Sequence, residues 1–164
     1  METIDLATAL PGDLIFCRGS GIVSRAIRLA ERIRWRAGSK WNHVAVLEAK
    51  SLAGWTVVQA GGRGVTSTPL SAMAPGGGYV VVPAPETCRE DVVAFARAQV
   101  GSQYGYLTIA SIVVTLLSPN FVNVMLPNTW ICSALAAESL RAGGWVHNWP
   151  DVYQVSPAAL SEAL

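Results

Sequence analysis

The feature that most constrains this chain is a pair of short β-branched runs, His43-Val-Ala-Val-Leu47 and Trp55-Thr-Val-Val-Gln-Ala60. A turn near Ala53-Gly54 separates them, and Gly61-Gly62-Arg63-Gly64 closes the second. Runs of this length, bounded by glycine turns, read as strands rather than helices. Leu14 to Cys17, after the turn Pro11-Gly12-Asp13, is a further short strand, and Tyr79 to Val82 is another, closed by Pro83. After the glycine turn the chain passes through Val65 to Thr68-Pro69-Leu70 without a strand being assigned there.

Helical patterns fill the rest. From Ser20 to Arg36 the apolar residues Val23, Ile27, Ala30 and Ile33 recur at helical spacing between arginines. Thr87-Cys88-Arg89-Glu90 has the form of a capping box and predicts a helix to about Val100. Tyr104 to Leu117 reads as an apolar helix. Asn128 or Thr129 is expected to cap a helix over 130–142 that Gly143-Gly144 stops. Ser156-Pro157 opens a short terminal helix with proline at its first position. This mixed order predicts an α+β fold, a small and largely antiparallel sheet packed against helices, in one domain over 1–164.

Composition narrows the function classes. Apolar residues make up 51% and charged ones 14%, with a net charge of +1. That excludes disorder, and no global charge favours nucleic acid. The one basic cluster, Arg25, Arg28, Arg32, Arg34, Arg36 and Lys40, reads first as a solvated helix face. Contact with an anionic polymer or lipid head group is the alternative. Residues 106–126 are nearly uncharged, but Ser118-Pro119-Asn120 breaks the run short of the roughly 20 residues a span requires. A peripheral membrane or lipid contact through 106–117 stays as an alternative to a buried helix. The N-terminus, METIDLATALPGD, carries acids where a signal peptide needs bases. The expectation is synthesis in the cytoplasm, with a phage association or a non-classical export route as alternatives.

The cysteines, Cys17, Cys88 and Cys132, are odd in number and irregular in spacing, which argues against a disulfide framework. The two histidines, His43 and His147, are too few and scattered for zinc, so neither metal nor cofactor is expected. Cys132 falls in the first turn of its helix, where unpaired N–H groups and the macrodipole favour a thiolate and an oxyanion. A thiolate needs a base. His43, at the head of a strand, is a more rigid platform than His147 in the loop Gly-Gly-Trp-Val-His-Asn-Trp. Taken singly, Cys132 and His43 each read first as buried structural groups, and Cys17 reads as core.

The order of these motifs resembles the circularly permuted branch of the NlpC/P60 papain-like superfamily, which includes YiiX-like proteins and is related to the lecithin:retinol acyltransferase group. The resemblance runs from Pro11 to Leu160 through PGDLIF, the amphipathic helix, WNHVAVL, VVQAGGRGV, TPL, WICSALAAESLRAGG and VSPAAL. It implies a permuted papain-like fold with the histidine strand ahead of the cysteine helix. It further implies Cys132 as nucleophile, His43 as general base, and Gln59, on the next strand, as the group that orients the imidazole. Gln59 departs from the acid that many relatives carry: it accepts from the ring N–H but cannot stabilise imidazolium by charge. Glu48 is the other candidate for that role. Five residues from His43, it faces the opposite side of a regular strand unless a β-bulge intervenes. Tyr153 falls where permuted relatives often have a tyrosine, as an oxyanion donor or as packing. Tyr104 and Tyr106 read as packing or pocket wall, and Asp13 as a loop cap.

The resemblance implies a cysteine hydrolase working through an acyl-enzyme, with a peptide amide such as that of bacterial cell wall as substrate. An acyltransferase or lipase-like hydrolase of lipid esters or thioesters is the alternative. A non-catalytic binding or structural module that retains the fold is a further one.

Overall fold

The computed structural model describes residues 2–18, 41–75, 78–85, 88–107, 128–149, 152 and 155–164. The arginine-rich segment over 20–36, residues 108–117 of the apolar segment and Tyr153 lie outside them.

A five-stranded antiparallel sheet carries the architecture, so the chain is α+β. Its strands are β1 (Leu14–Cys17), β2 (His43–Ser51), β3 (Gly54–Gly61), β4 (Gly64–Pro69) and β5 (Tyr79–Val82), in spatial order β4-β3-β2-β1-β5. The helices are α1 (Leu70–Met73), α2 (Arg89–Ala98), α3 (Cys132–Ala142) and α4 (Pro157–Ala163). Two short strands, β6 (Gln103–Tyr104) and β7 (Thr129–Trp130), pair in parallel.

Alternation along the strands divides the core in two. Val44, Val46, Val58 and Ala60 point to the face covered by α2 and α3, with Leu14 and Phe16 from β1. Ala45, Leu47, Val57 and Trp55 point to the other face, with Ile15, Leu70 and Val81. Every residue of α3 from Cys132 to Leu140 is buried. Its small residues, Ser133, Ala134, Ala136 and Ala137, let the helix approach β2 and β3 closely.

Several expectations from the sequence need correction. β4 is a strand that the pattern Val-Thr-Ser-Thr-Pro concealed: it lies at the sheet edge with one polar side, where a terminal proline is tolerated. Tyr104 belongs to β6, with helical backbone only from residues 106–107. Trp130 belongs to β7, so α3 starts at Cys132 with Ile131 as its N-cap, not Asn128 or Thr129. Ladder pairing with Gln103 and Tyr104 takes precedence over capping there. Likewise Cys88, not Thr87, is the N-cap of α2, without a side-chain cap, while Glu90 and Asp91 in the first turn complement the dipole. α4 starts as expected, with Pro157 at its first position and Ser156 Oγ accepting from the Ala159 N–H at 3.1 Å.

Two polar anchors hold the scaffold. Asp13, fully buried, accepts from the Leu10 N–H at 2.7 Å, the Ala84 N–H at 2.9 Å and the Arg89 guanidinium. Gly64, at φ +94°, lies so close to Ser102 that a Cβ there would overlap its carbonyl oxygen. That approach lets Val65 and Ser102 join by a 2.9 Å backbone hydrogen bond, setting β6 beside β4.

Candidate active site

The site is built where β2 and β3 part. Their pairing runs from Ser51↔Gly54 to Val46↔Val58 and ends there, although both strands continue. The Leu14↔Val46 to Cys17↔His43 register with β1 continues to the first residue of β2. Leu47 N–H bonds to Asp13 O, so alternate residues 47, 45 and 43 direct their N–H groups towards β1. Val44 N–H therefore points towards β3, where its ladder partner is missing. Hydrogen bonding from this N–H, and from the N–H of Ser133 in the first turn of α3, helps to lower the Cys132 thiol. The first residue of α3 thus acts at the end of the β2–β3 ladder.

This position explains how Cys132 meets His43. By alternation His43 shares a face with Ala45 and Leu47, away from α3. Cys132, which acts on the Val44 N–H at the end of the β2–β3 ladder, nevertheless also acts on the His43 ring. The His43 and Cys132 side chains act on each other's titration through charge and hydrogen bonding. The ring nitrogen Nε2 lies 2.7 Å from Gln59 Oε1, which leaves Nδ1 for the sulfur. Gln59 in turn donates from Nε2 to Thr68 Oγ1 at 3.0 Å.

The electrostatics follow from this contact. Burial opposes charge on both groups, yet the hydrogen bond and charge of His43, with the N–H groups of Val44 and Ser133, hold the Cys132 thiol below its usual range. Burial likewise works to lower His43, but the Cys132 charge and the hydrogen bonds to Cys132 and Gln59 outweigh it and raise the imidazole. Both shifts favour a thiolate–imidazolium pair. Cys17, the cross-strand partner of His43, has its thiol pushed up to about 12 by burial and by the Cys132 charge. Tyr104, half-buried and in register with Trp130, has its phenol pushed up by burial, with the Cys132 charge and Tyr106 adding to it.

Glu48 is not brought to this group. A bulge between Leu47 and Ala49 does interrupt β2, but Glu48 still faces α2. There it accepts from Arg97 Nε at 2.7 Å and pairs with Ser67. Burial works to raise its carboxyl, but the hydrogen bonds from Ser67 and Arg97 hold it below the usual range. His147 lies beyond the C-terminal end of α3, stacked on Trp149 with ring centroids 4.3 Å apart, and is not among the groups that act on Cys132.

Sequence reasoning missed Thr68, which it read only as part of the Thr-Pro-Leu stretch that follows the glycine turn. Its signal lies in the register: Thr68 pairs with Val57 and Thr66 with Gln59, so both threonines share the Gln59 face. It also gave Tyr104 no closer role than packing or pocket wall. Tyr106, half-exposed, donates to Gly62 O at 2.8 Å and closes the β3–β4 turn over this end of the sheet. Among the described residues, no group of three or more His, Cys, Asp or Glu side chains is gathered to hold a metal ion. Nor is any described helix long and apolar enough to cross a membrane. Compared with family models and with curated proteins, the sequence finds no match.

Proposed function

We propose that this chain is a cysteine-dependent hydrolase on a permuted papain-like scaffold, with Cys132 as nucleophile, His43 as acid–base and Gln59 orienting the ring. The observation that carries the reading is the His43–Gln59 hydrogen bond beside Cys132, whose thiol His43 lowers, at the N-terminus of a buried helix. The Cys132 thiolate adds to the carbonyl carbon of an acyl substrate, such as a peptide amide of cell wall. The charge developing on oxygen is met by the N–H of Cys132 itself, one of the first-turn groups without an intrahelical partner. Collapse expels the leaving amine, protonated by His43 Nδ1, and leaves an acyl-thioester. Water, deprotonated by the same nitrogen, then releases the acid and restores the thiolate.

A second reading keeps the chemistry and changes the acyl group. Tyr106 and Leu107 are each more than half exposed beside the β3–β4 turn, an apolar rim that suits a lipid ester or thioester. A panel of electrophilic probes, peptidyl against acyl-lipid, separates the two when applied to wild type and Cys132→Ala. The expected result is labelling at Cys132 by one class. Labelling of exposed Cys88 alone, by either class, leaves a non-catalytic module as the remaining reading.

A further inference from the structure

We infer that Thr68 is a positioning residue: its hydroxyl anchors the Gln59 amide and thereby sustains the charged form of the His43–Cys132 pair. The inference rests on the reading of that pair given above and extends it by one strand.

The geometry is specific. On the shared face of β3 and β4, Thr66 is the direct cross-strand neighbour of Gln59 and Thr68 the diagonal one. The amide bonds to the diagonal neighbour, with Nε2 3.0 Å from Thr68 Oγ1, and so directs Oε1 towards His43 Nε2 at 2.7 Å. Held at both ends, the amide spans β2 to β4. A glutamine side chain otherwise carries enough rotamer freedom to leave this position. A reversed amide would set its N–H groups against the ring N–H, which the imidazolium cannot tolerate because both its nitrogens are donors. Only an amide oxygen held in place supports the protonated ring.

Among the described residues, few other groups set the charge of this ring. From β1 the facing group is Cys17 and from α3 Cys132, on which Tyr104 of β6 also acts; β3 and β4 present neutral Gln59, Thr66 and Thr68. Cys17 and Tyr104 titrate above the range in which the pair forms. A change in the pH profile on altering Thr68 is therefore a change in the pair.

The test is the rate of Cys132 carboxamidomethylation by iodoacetamide against pH, read site by site by mass spectrometry on the intact chain. Thr68→Val keeps the shape and removes the hydroxyl; Thr68→Ala removes it without a methyl replacement. Both are expected to slow the reaction about three- to tenfold near pH 6, converging with wild type above the ordinary thiol range. Thr68→Ser restores the wild-type profile, and Thr66→Val, on the same face, leaves it unchanged. Superimposable profiles for wild type and Thr68→Val overturn the inference, as does an equal shift in Thr66→Val or a failure of serine to restore. A uniform loss at every pH assigns Thr68 to packing and overturns it too. If wild-type Cys132 itself titrates as an ordinary thiol, the pair does not exist and the underlying reading falls with the inference. A low-lying wild-type profile with no Thr68 effect removes the inference alone.

Discussion

His43 and Gln59 stand on adjacent antiparallel strands with Nε2 and Oε1 2.7 Å apart, at the end of the sheet where the two strands no longer pair. Cys132 acts on His43 and on the Val44 N–H at this end of the ladder, and the Gln59 hydrogen bond leaves the other ring nitrogen for the sulfur. A site that depends on both makes separable predictions.

The first concerns pH. Cys132 is lowered and His43 raised, so the charged pair forms above the folded Cys132 value and persists until pH passes the folded His43 value. Iodoacetamide should therefore react with Cys132 at an onset well below the ordinary thiol value of about 8.5. His43→Ala should move the onset back to or above that value, costing about tenfold in rate near neutrality for each pH unit moved. The sign for stability is worked group by group. The raised His43 contributes fully below its unfolded value and loses that contribution as pH rises through its folded value. The lowered Cys132 contributes above its unfolded value and loses that as pH falls through its folded value. An onset that His43→Ala leaves in place would show that the helix N-terminus alone activates the thiol.

The second sets Gln59 against Glu48. Gln59→Ala leaves the half-buried ring N–H without its acceptor, a loss of about 1–3 kcal/mol to the charged form. Alkylation of Cys132 near pH 6 should then fall about tenfold or more. Glu48→Gln should leave that rate unchanged, because Glu48 engages Arg97 on the opposite face. Its effect on stability should stay below about 1 kcal/mol, since the Arg97 side chain is half exposed. Equal effects on alkylation would contradict the placement of the two side chains.

These pairings show what was legible in the sequence. The strand starting at His43 and the helix containing Cys132 follow from a β-branched run and an alanine-rich periodic run, each strong enough to override its neighbours. Alternation alone set Glu48 on the face away from His43, and it stays there despite the bulge. β4 was not legible because Thr66, Ser67 and Thr68 give no apolar alternation; their partners across the sheet supply the order. β6 and β7 are too short to carry a pattern and exist only through mutual pairing. The effect of the Val44 N–H on the Cys132 thiol depends on where a ladder ends, which no local pattern records.

A third prediction concerns Gly64. Its φ of +94° and the Ser102 carbonyl against it leave no room for a side chain. Gly64→Ala should cost about 1–3 kcal/mol through strain, on top of the displaced contact. The displacement should also loosen the Val65–Ser102 hydrogen bond that sets β6, and with it Tyr104, beside the site. Hydrogen exchange at Val65 and Gly101, whose N–H groups bond to Ser102 and Val65, measures this directly. Exchange as slow as in the wild type, with an unchanged urea midpoint, would refute it.

The last prediction concerns Asp13, which joins elements distant in sequence. Its carboxylate holds the Leu10 and Ala84 N–H groups and the Arg89 guanidinium, and its carbonyl accepts from Leu47 N–H at 2.8 Å. One residue thereby ties β1 to β2 and to the start of α2. Asp13→Ala strands two N–H donors and a half-buried cation, and should lower the unfolding free energy by about 3 kcal/mol. Asp13→Asn retains an acceptor oxygen and the volume but surrenders the charge, so its cost should be clearly smaller. Urea unfolding of both variants measures the difference. Arg89→Met in the Asp13→Ala background completes the cycle: if the ion pair matters, the double variant should fall short of the sum of the two single losses. A loss under about 0.5 kcal/mol for Asp13→Ala would mean that water satisfies these donors as well as the carboxylate does, and the carboxylate would then be no anchor.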